Sequence, residues 1–231
     1  MIVAIIPARS GSKQLPGKNM INLCGQPLIS YTFQAALNSK LIDFVLVTTD
    51  DEKIINYAKK FPDIHVIKRP KKISKDSSPT LEAIYHALTN FENKISKTFD
   101  LIVTLQPTSP LRKHHHIDEA ILAIKSDLDS DSLVSYIPVP HQFEPGSLMK
   151  KNSNGYLVPT NPTFQSFPNR HLKAKYFARN GAAIYITKRN KINEYIWGGN
   201  CIGYQMKPEE SIDIDGLDDL KVAENIMKNE K

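Results

Sequence analysis

Cysteine is almost missing from this chain: two residues, Cys24 and Cys201, among 231. At most one disulfide could form, and a chain of this length buries enough apolar surface without one, so both are read as free thiols. No apolar run reaches the roughly 18 residues that a membrane-spanning helix needs. The opening segment MIVAIIPARS has no basic stretch ahead of its apolar run and no small-residue cleavage site behind it, so it is read as a first core strand of a cytoplasmic protein rather than a leader. Internal repeats and low-complexity tracts are also lacking. The formal charge is +6, yet the cations are dispersed. The densest stretch, KRPKKISK from Lys68 to Lys75, is broken by Pro70 and Ile73. That dispersal argues against a nucleic-acid-binding stripe, while a mild cation excess suits an enzyme that binds a polyphosphate.

What is present is a rhythm. IVAII, FVLVTTD, IHVIK, DLIVTLQ and SLVSYIPV read as strands. PLISYTFQAALNS, EKIINYAKKF, SPTLEAIYHALTNFE and HIDEAILAIKS fall between them and read as helices. In the third of these, Ser78 is the expected N-cap, with Pro79 at the first helical position. The alternation predicts an α/β fold: one domain over 1–231, a mostly parallel sheet with helices on both faces. From Pro138 to Arg179 the rhythm breaks into a segment rich in Pro, Asn, His and aromatics. A structureless loop of that length is improbable, so 138–179 is read as an inserted subdomain with short strands of its own. AAIYITK, GYQM and SIDID then resume the sheet, and LDDLKVAENIMKNE closes the chain as an amphipathic helix.

The first strand ends in IPARSGSKQLPGKN. In open α/β sheets ligands sit at the carboxyl ends of the strands. Gly11 and Gly17 allow close backbone approach, Arg9, Lys13 and Lys18 supply charge, and the N–H groups of such a loop form an anion-binding concavity. The Walker A pattern fails because Asn19 follows Gly17-Lys18, and the three spaced glycines of a dinucleotide fold are absent. Asp213 and Asp215 lie two apart in SIDID, as if on one face of a strand. Carboxylates that converge in this way call for a cation between them, and Mg²⁺ favours carboxylate plus phosphate oxygens. The run His114-His115-His116 is not read as a metal site, because successive helical residues do not share a face and no Glu or His follows at ligand spacing.

The first loop, together with Arg69-Pro70, LQPTSPLR (Leu105 to Arg112), NGAAIYI (Asn180 to Ile186) and SIDID, resembles the sugar nucleotidyltransferases, in particular the cytidylyltransferases of sialic and related nine-carbon acids. The resemblance runs over essentially the whole chain. It implies a nucleotide-diphospho-sugar transferase-like fold and transfer of CMP from CTP to the anomeric hydroxyl of a nonulosonic acid, with release of pyrophosphate and Mg²⁺ as cofactor. Arg9, Ser12, Lys13 and Lys18 would hold the triphosphate; Asn19, Arg69 and Thr80 would meet the nucleotide. Gln106, Thr108, Ser109 and Arg170 would meet the sugar acid, and Asp213 and Asp215 the metal. Arg9, Lys18, Asp213 and Asp215 would carry catalysis. Segment 138–179 resembles an arm through which such enzymes form homodimers.

This chain departs from the pattern in places. Gln14 stands where many relatives have Gly, and His171 follows Arg170 in place of Gln. Ala178 replaces an arginine and Arg179 is shifted by one position. Ser147 stands where many sialic acid enzymes have a lysine, amid Phe143, Met149, Tyr156, Phe164 and Phe167. That apolar set suits the N-acetyl and methyl groups of a legionaminic-type acid better than the glycerol tail of N-acetylneuraminic acid. A cytidylyltransferase for a shorter acid such as KDO and a basic nucleic-acid-binding module are the competing readings; no nucleic-acid or membrane partner is expected.

Overall fold

A computed structural model describes residues 1–11, 15–160, 175–181 and 183–229. The chain runs β1 (Ile2–Pro7), β2 (Asn22–Leu23), β3 (Gln26–Pro27), α1 (Leu28–Leu37), β4 (Phe44–Thr49), α2 (Glu52–Ala58), β5 (Ile64–Lys68), α3 (Thr80–Ile95), β6 (Leu101–Thr104), α4 (His114–Ser126) and β7 (Ser132–Pro138). It continues through β8 (Met149–Lys151), β9 (Leu157–Pro159), β10 (Phe177–Arg179), β11 (Tyr185–Lys188), β12 (Cys201–Gln205) and α5 (Leu217–Asn229).

Strands β5, β4, β1 and β6 lie side by side and parallel. Next to β6 comes β11, antiparallel to both β6 and β7, and β12 pairs parallel with β7. The sheet is therefore mostly parallel, as the alternation of the sequence predicts. Period-two alternation in β1 divides the core. Ile2, Ala4 and Ile6 pack with Ile29 and Phe33 of α1, Ile54 of α2 and Ile117 and Ile121 of α4. Val3 and Ile5 pack on the other face with Ile84, Leu88 and Phe91 of α3. Such doubly covered strands read as continuous apolar runs because both faces are buried.

Three local expectations are corrected. Helix α3 starts at Thr80, with Pro79 in the cap position and no side-chain cap. The Ser78 hydroxyl instead reaches Lys72 O. Helix α4 begins at His114 rather than His116, because the His116 ring turns back and its Nδ1 accepts the Lys113 N–H at 3.1 Å. Ser211 to Asp215 is not a strand. Ile214 N donates to Thr108 O at 2.8 Å, and the Ile214 side chain is fully buried with Leu23, Leu28 and Ala223. That plug gives the segment alternation without a ladder.

Within 138–179, β8 and β9 form an antiparallel hairpin that, among the described residues, joins no strand of the main sheet. Phe143, Met149, Tyr156 and Phe177 are 50–69% exposed, so among the described residues these side chains do not build a core of their own. Phe164, Phe167, Gln14 and His171 lie outside the described residues. Both cysteines are free, and among the described residues no helix is long and apolar enough to cross a membrane.

Candidate active site

Neighbours β4 and β6 flank β1 on opposite sides, and the order of connections reverses there. In open α/β sheets the crevice at such a switch point is where ligands bind. A cavity of about 600 Å³ lies at these carboxyl ends. Pro7 of β1 forms part of its floor. Arg9, Gly11, Lys18 and Asn19 come from the loop after β1, Arg69 from the end of β5, and Gln106 and Thr108 from the loop after β6. Four cations (Arg9, Lys18, Arg69, Lys75) and two carboxylates (Asp76, Asp215) line it, leaving an excess of positive charge suited to a polyanion.

Arg9 and Lys18 are both engaged. Arg9 Nη1 lies 2.9 Å from Asp76 Oδ1 and donates to Lys75 O at 3.2 Å. Lys18 Nζ donates to Asp215 Oδ1 at 3.0 Å and to Ile214 O at 2.8 Å. Asn19 Nδ2 donates to Arg9 O at 3.1 Å, fastening the two ends of the loop to each other. Arg69 is only 6% exposed. Its Nη2 donates to Thr48 O at 2.9 Å while its Nε has no hydrogen-bond partner among the described residues. Burial above all pushes its guanidinium down, with Asp50 opposing and Arg9 adding to the effect.

Asp213 sits behind Asp215. Its Oδ1 is buried and has no partner among the described residues. Burial pushes its carboxyl up; Thr108 and Lys18 pull it down, and the charge of Asp215 pushes it up again. The backbone of Gly181 crosses close by: φ is +68°, and a Cβ there would fall 2.6 Å from Asp213 Oδ2. Asn180 is held by Ser135 Oγ at 2.6 Å and donates to Ser211 Oγ at 2.9 Å, tying β7 to the segment that carries Asp213.

Of the residues singled out in the sequence, Arg9, Lys18, Asn19, Arg69, Thr80, Gln106, Thr108 and Asp215 are brought to the one cavity. Asp213 is half-buried and Ser109 is buried; neither lines the cavity, and Ser109 Oγ has no partner among the described residues. Ser12, Lys13 and Arg170 lie outside the described residues. The displaced Arg179 is engaged elsewhere: Nη1 donates to Tyr185 Oη at 2.8 Å and the guanidinium lies 4.4 Å from the centre of the Trp197 ring. Lys75, Asp76 and Ser78 were missed. The signal was the polar run KKISKDSS shortly after β5, of whose cations Lys75 lines the cavity.

Glu210 approaches the histidine run from far along the chain, so that His115, His116 and Glu210 offer donor atoms within 4.8 Å of one another. The chemistry of His116 opposes a metal there. Its Nδ1 accepts the Lys113 N–H, so the neutral ring carries its proton on Nε2, which faces Glu210 at 3.3 Å.

An α/β sheet with a cation-lined crevice at the switch point, beside an acidic segment, is the arrangement of a protein that binds a nucleotide polyphosphate. The chain belongs to the cytidylyltransferase family, whose model matches residues 3–195. It is 32% identical over 228 residues to the N-acylneuraminate cytidylyltransferase of Escherichia coli, covering 98% of this chain and 52% of the relative. It is 33% identical over 233 residues to the CMP-N,N'-diacetyllegionaminic acid synthase of Legionella pneumophila, covering 98% and 96%. The chain spans about half the length of the N-acylneuraminate cytidylyltransferases of Escherichia coli, Streptococcus agalactiae and Oncorhynchus mykiss that it matches. Among solved structures, CMP:2-keto-3-deoxy-manno-octonic acid synthetase complexed with CTP superposes with a TM-score of 0.71 at 19% identity, covering 100% of this chain and 99% of that one. At that identity the likeness concerns the fold.

Proposed function

We propose that the protein transfers CMP from CTP to the anomeric C2 hydroxyl of a nonulosonic acid. The C2 oxygen attacks the α-phosphorus, the bond to the bridging β-phosphate oxygen breaks, and pyrophosphate leaves with that electron pair while the hydroxyl proton is released. The observation that carries this reading is the pairing of Lys18 with Asp215 in a crevice lined by an excess of cations, with the half-buried Asp213 coupled to both.

Arg9, Lys18, Ser12 and Lys13 hold the triphosphate. A polyphosphate competes for Arg9 and Lys18 against Asp76 and Asp215, their present partners. Arg69, Asn19 and Thr80 receive the nucleoside; Gln106, Thr108, Ser109 and Arg170 receive the acid. Asp213 and Asp215 fit Mg²⁺. A buried carboxylate oxygen without a partner, raised by burial and by a second carboxylate, is relieved by a cation. The ion, when bound, neutralises phosphate charge and templates the substrates. The protein's own contribution is positioning and electrostatics: Lys18 and Arg9 fix the phosphates, and Asn180 and Gly181 fix Asp213.

For the acid, a legionaminic type is favoured, with N-acetylneuraminic acid the weaker substrate. Ser147 leaves no cation where many sialic acid enzymes carry one, and Phe143, Met149 and Tyr156 are exposed on the arm. The relative whose name refers to the diacetyllegionaminic product is also matched over nearly its whole length. The arm over 138–179 further supports a homodimer in which this apolar surface is covered. Pyrophosphate release measured over a panel of nucleotides and sugar acids tests the reading: it stands if CTP with a nonulosonic acid gives turnover and falls if no such acid does.

A further inference from the structure

Arg112 ends the loop LQPTSPLR, and its side chain is buried at 2% exposure. Nη1 donates to Ala183 O at 2.8 Å and to Gln106 O at 3.2 Å; Nη2 donates to Thr32 Oγ1 at 2.6 Å. Nε has no hydrogen-bond partner among the described residues. Every acceptor is neutral. Burial alone depresses the guanidinium, to about 9, so it remains charged at neutral pH, and no carboxylate among the described residues is close enough to offset it. A buried charge without a counter-ion is expensive. A neutral side chain that hydrogen-bonded the same carbonyls would brace the loop without that cost.

The position of the charge suggests its use. The carbonyl it grips belongs to Gln106, whose residue and whose neighbour Thr108 line the cavity. Arg112 thus stands directly behind the wall assigned to the sugar acid, whereas Arg9, Lys18 and Lys75 come from other segments. Ala183, its second anchor, follows the turn at Gly181 that lies against Asp213. We infer that Arg112 is an electrostatic positioning residue: its uncompensated buried charge acts through the Gln106 wall on the carboxylate of the incoming sugar acid, as the missing counter-ion supplied by substrate. This rests on the nonulosonate reading above.

The test compares Arg112→Lys, which keeps the charge but not the fork of donors, with Arg112→Gln and Arg112→Met, which are neutral. Wild-type turnover over the acid panel is measured first and tests the substrate reading by itself. Melting temperature, KM for CTP and KM for the preferred acid follow for each variant. One unit charge acting through roughly 10 Å at an effective dielectric near 20 is worth about an order of magnitude in binding. The neutral variants should therefore raise KM for the acid about tenfold with KM for CTP within about twofold, and Lys should restore most of the loss even if its melting temperature is lower. Acid KM values that track melting temperature rather than charge, or equal rises for CTP and acid, would overturn the inference. Failure of all three variants to fold would also overturn it, leaving Arg112 a folding brace. If the wild type turns over no acid, the substrate reading falls and this inference with it.

Discussion

Lys18 Nζ lies 3.0 Å from Asp215 Oδ1, joining the first loop to a segment 197 positions further on. The same ammonium holds Ile214 O, so the acidic segment is fastened to the phosphate-type loop before any nucleotide arrives. Lys18→Ala should lower kcat/KM for CTP by about a hundredfold or more, the scale of losing a charge that meets the transition state. Its ion pair is partly open to solvent, Asp215 being 61% exposed, and pairs of that kind contribute about 0–1 kcal/mol to stability. Melting should therefore move little. A large loss of melting temperature with normal kinetics would make Lys18 structural.

Asp213→Ala and Asp215→Ala should each reduce turnover by orders of magnitude, and added Mg²⁺ should recover part of the loss only in the variant that retains some affinity. Direct titration with Mn²⁺ followed by paramagnetic resonance gives the affinity without reference to rate. Undiminished turnover in Asp215→Ala would remove the metal assignment.

Gly181→Ala probes the same centre from the backbone. At φ +68° a side chain costs about 1 kcal/mol, and its Cβ would fall 2.6 Å from Asp213 Oδ2. Asp213 must move. The apparent Mg²⁺ requirement should rise by about tenfold or more, while Gly155→Ala, also at positive φ but with open space around it, should show only the stability loss. Equal kinetics in the two variants would contradict the contact.

The sheet was legible because both of its faces are buried. Apolar runs such as IVAII and FVLVTTD announced strands, and the spacing between them announced helices. What was not legible came from contacts across the chain. SIDID alternates like a strand, yet its alternation comes from Ile214 entering a small core under α5. The histidine run lacked a local partner in the sequence, but Glu210 reaches it from the fold. The cavity-lining residues singled out in the sequence followed from loops at strand ends; Lys75 and Asp76 were missed because only the fold brings them to the crevice.

His116 gives a pH prediction. Burial first, then the charge of His115, pushes its ring down to about 4, against Glu210. A depressed folded value means that the stability from the neutral ring is complete above the unfolded value near 6.5 and is lost as pH falls through about 4. Melting temperature should therefore decline between roughly pH 6.5 and 4, and the decline should shrink in His116→Asn, which keeps a cap acceptor without a titrating ring. An unchanged pH profile in that variant would exclude His116 as the source.

The exposed Phe143, Met149, Tyr156 and Phe177 call for cover. Light scattering should give twice the 26.1 kDa chain mass at assay concentrations, and Phe143→Ser with Tyr156→Ser should shift it toward the single chain. A constant single-chain mass for the wild type would contradict the dimer.

The central claim is tested most directly by pyrophosphate release with each nucleoside triphosphate paired with each of several sugar acids. Release should require CTP and a nonulosonic acid, with kcat/KM higher for legionaminic acid than for N-acetylneuraminic acid. An apolar pocket rejects an added hydroxyl by only about a hundredfold, so the weaker acid should still react. A clear preference for N-acetylneuraminic acid would contradict the assignment of the acid. Release with CTP and KDO but with neither nonulosonic acid, or no release with CTP at all, would contradict the function itself.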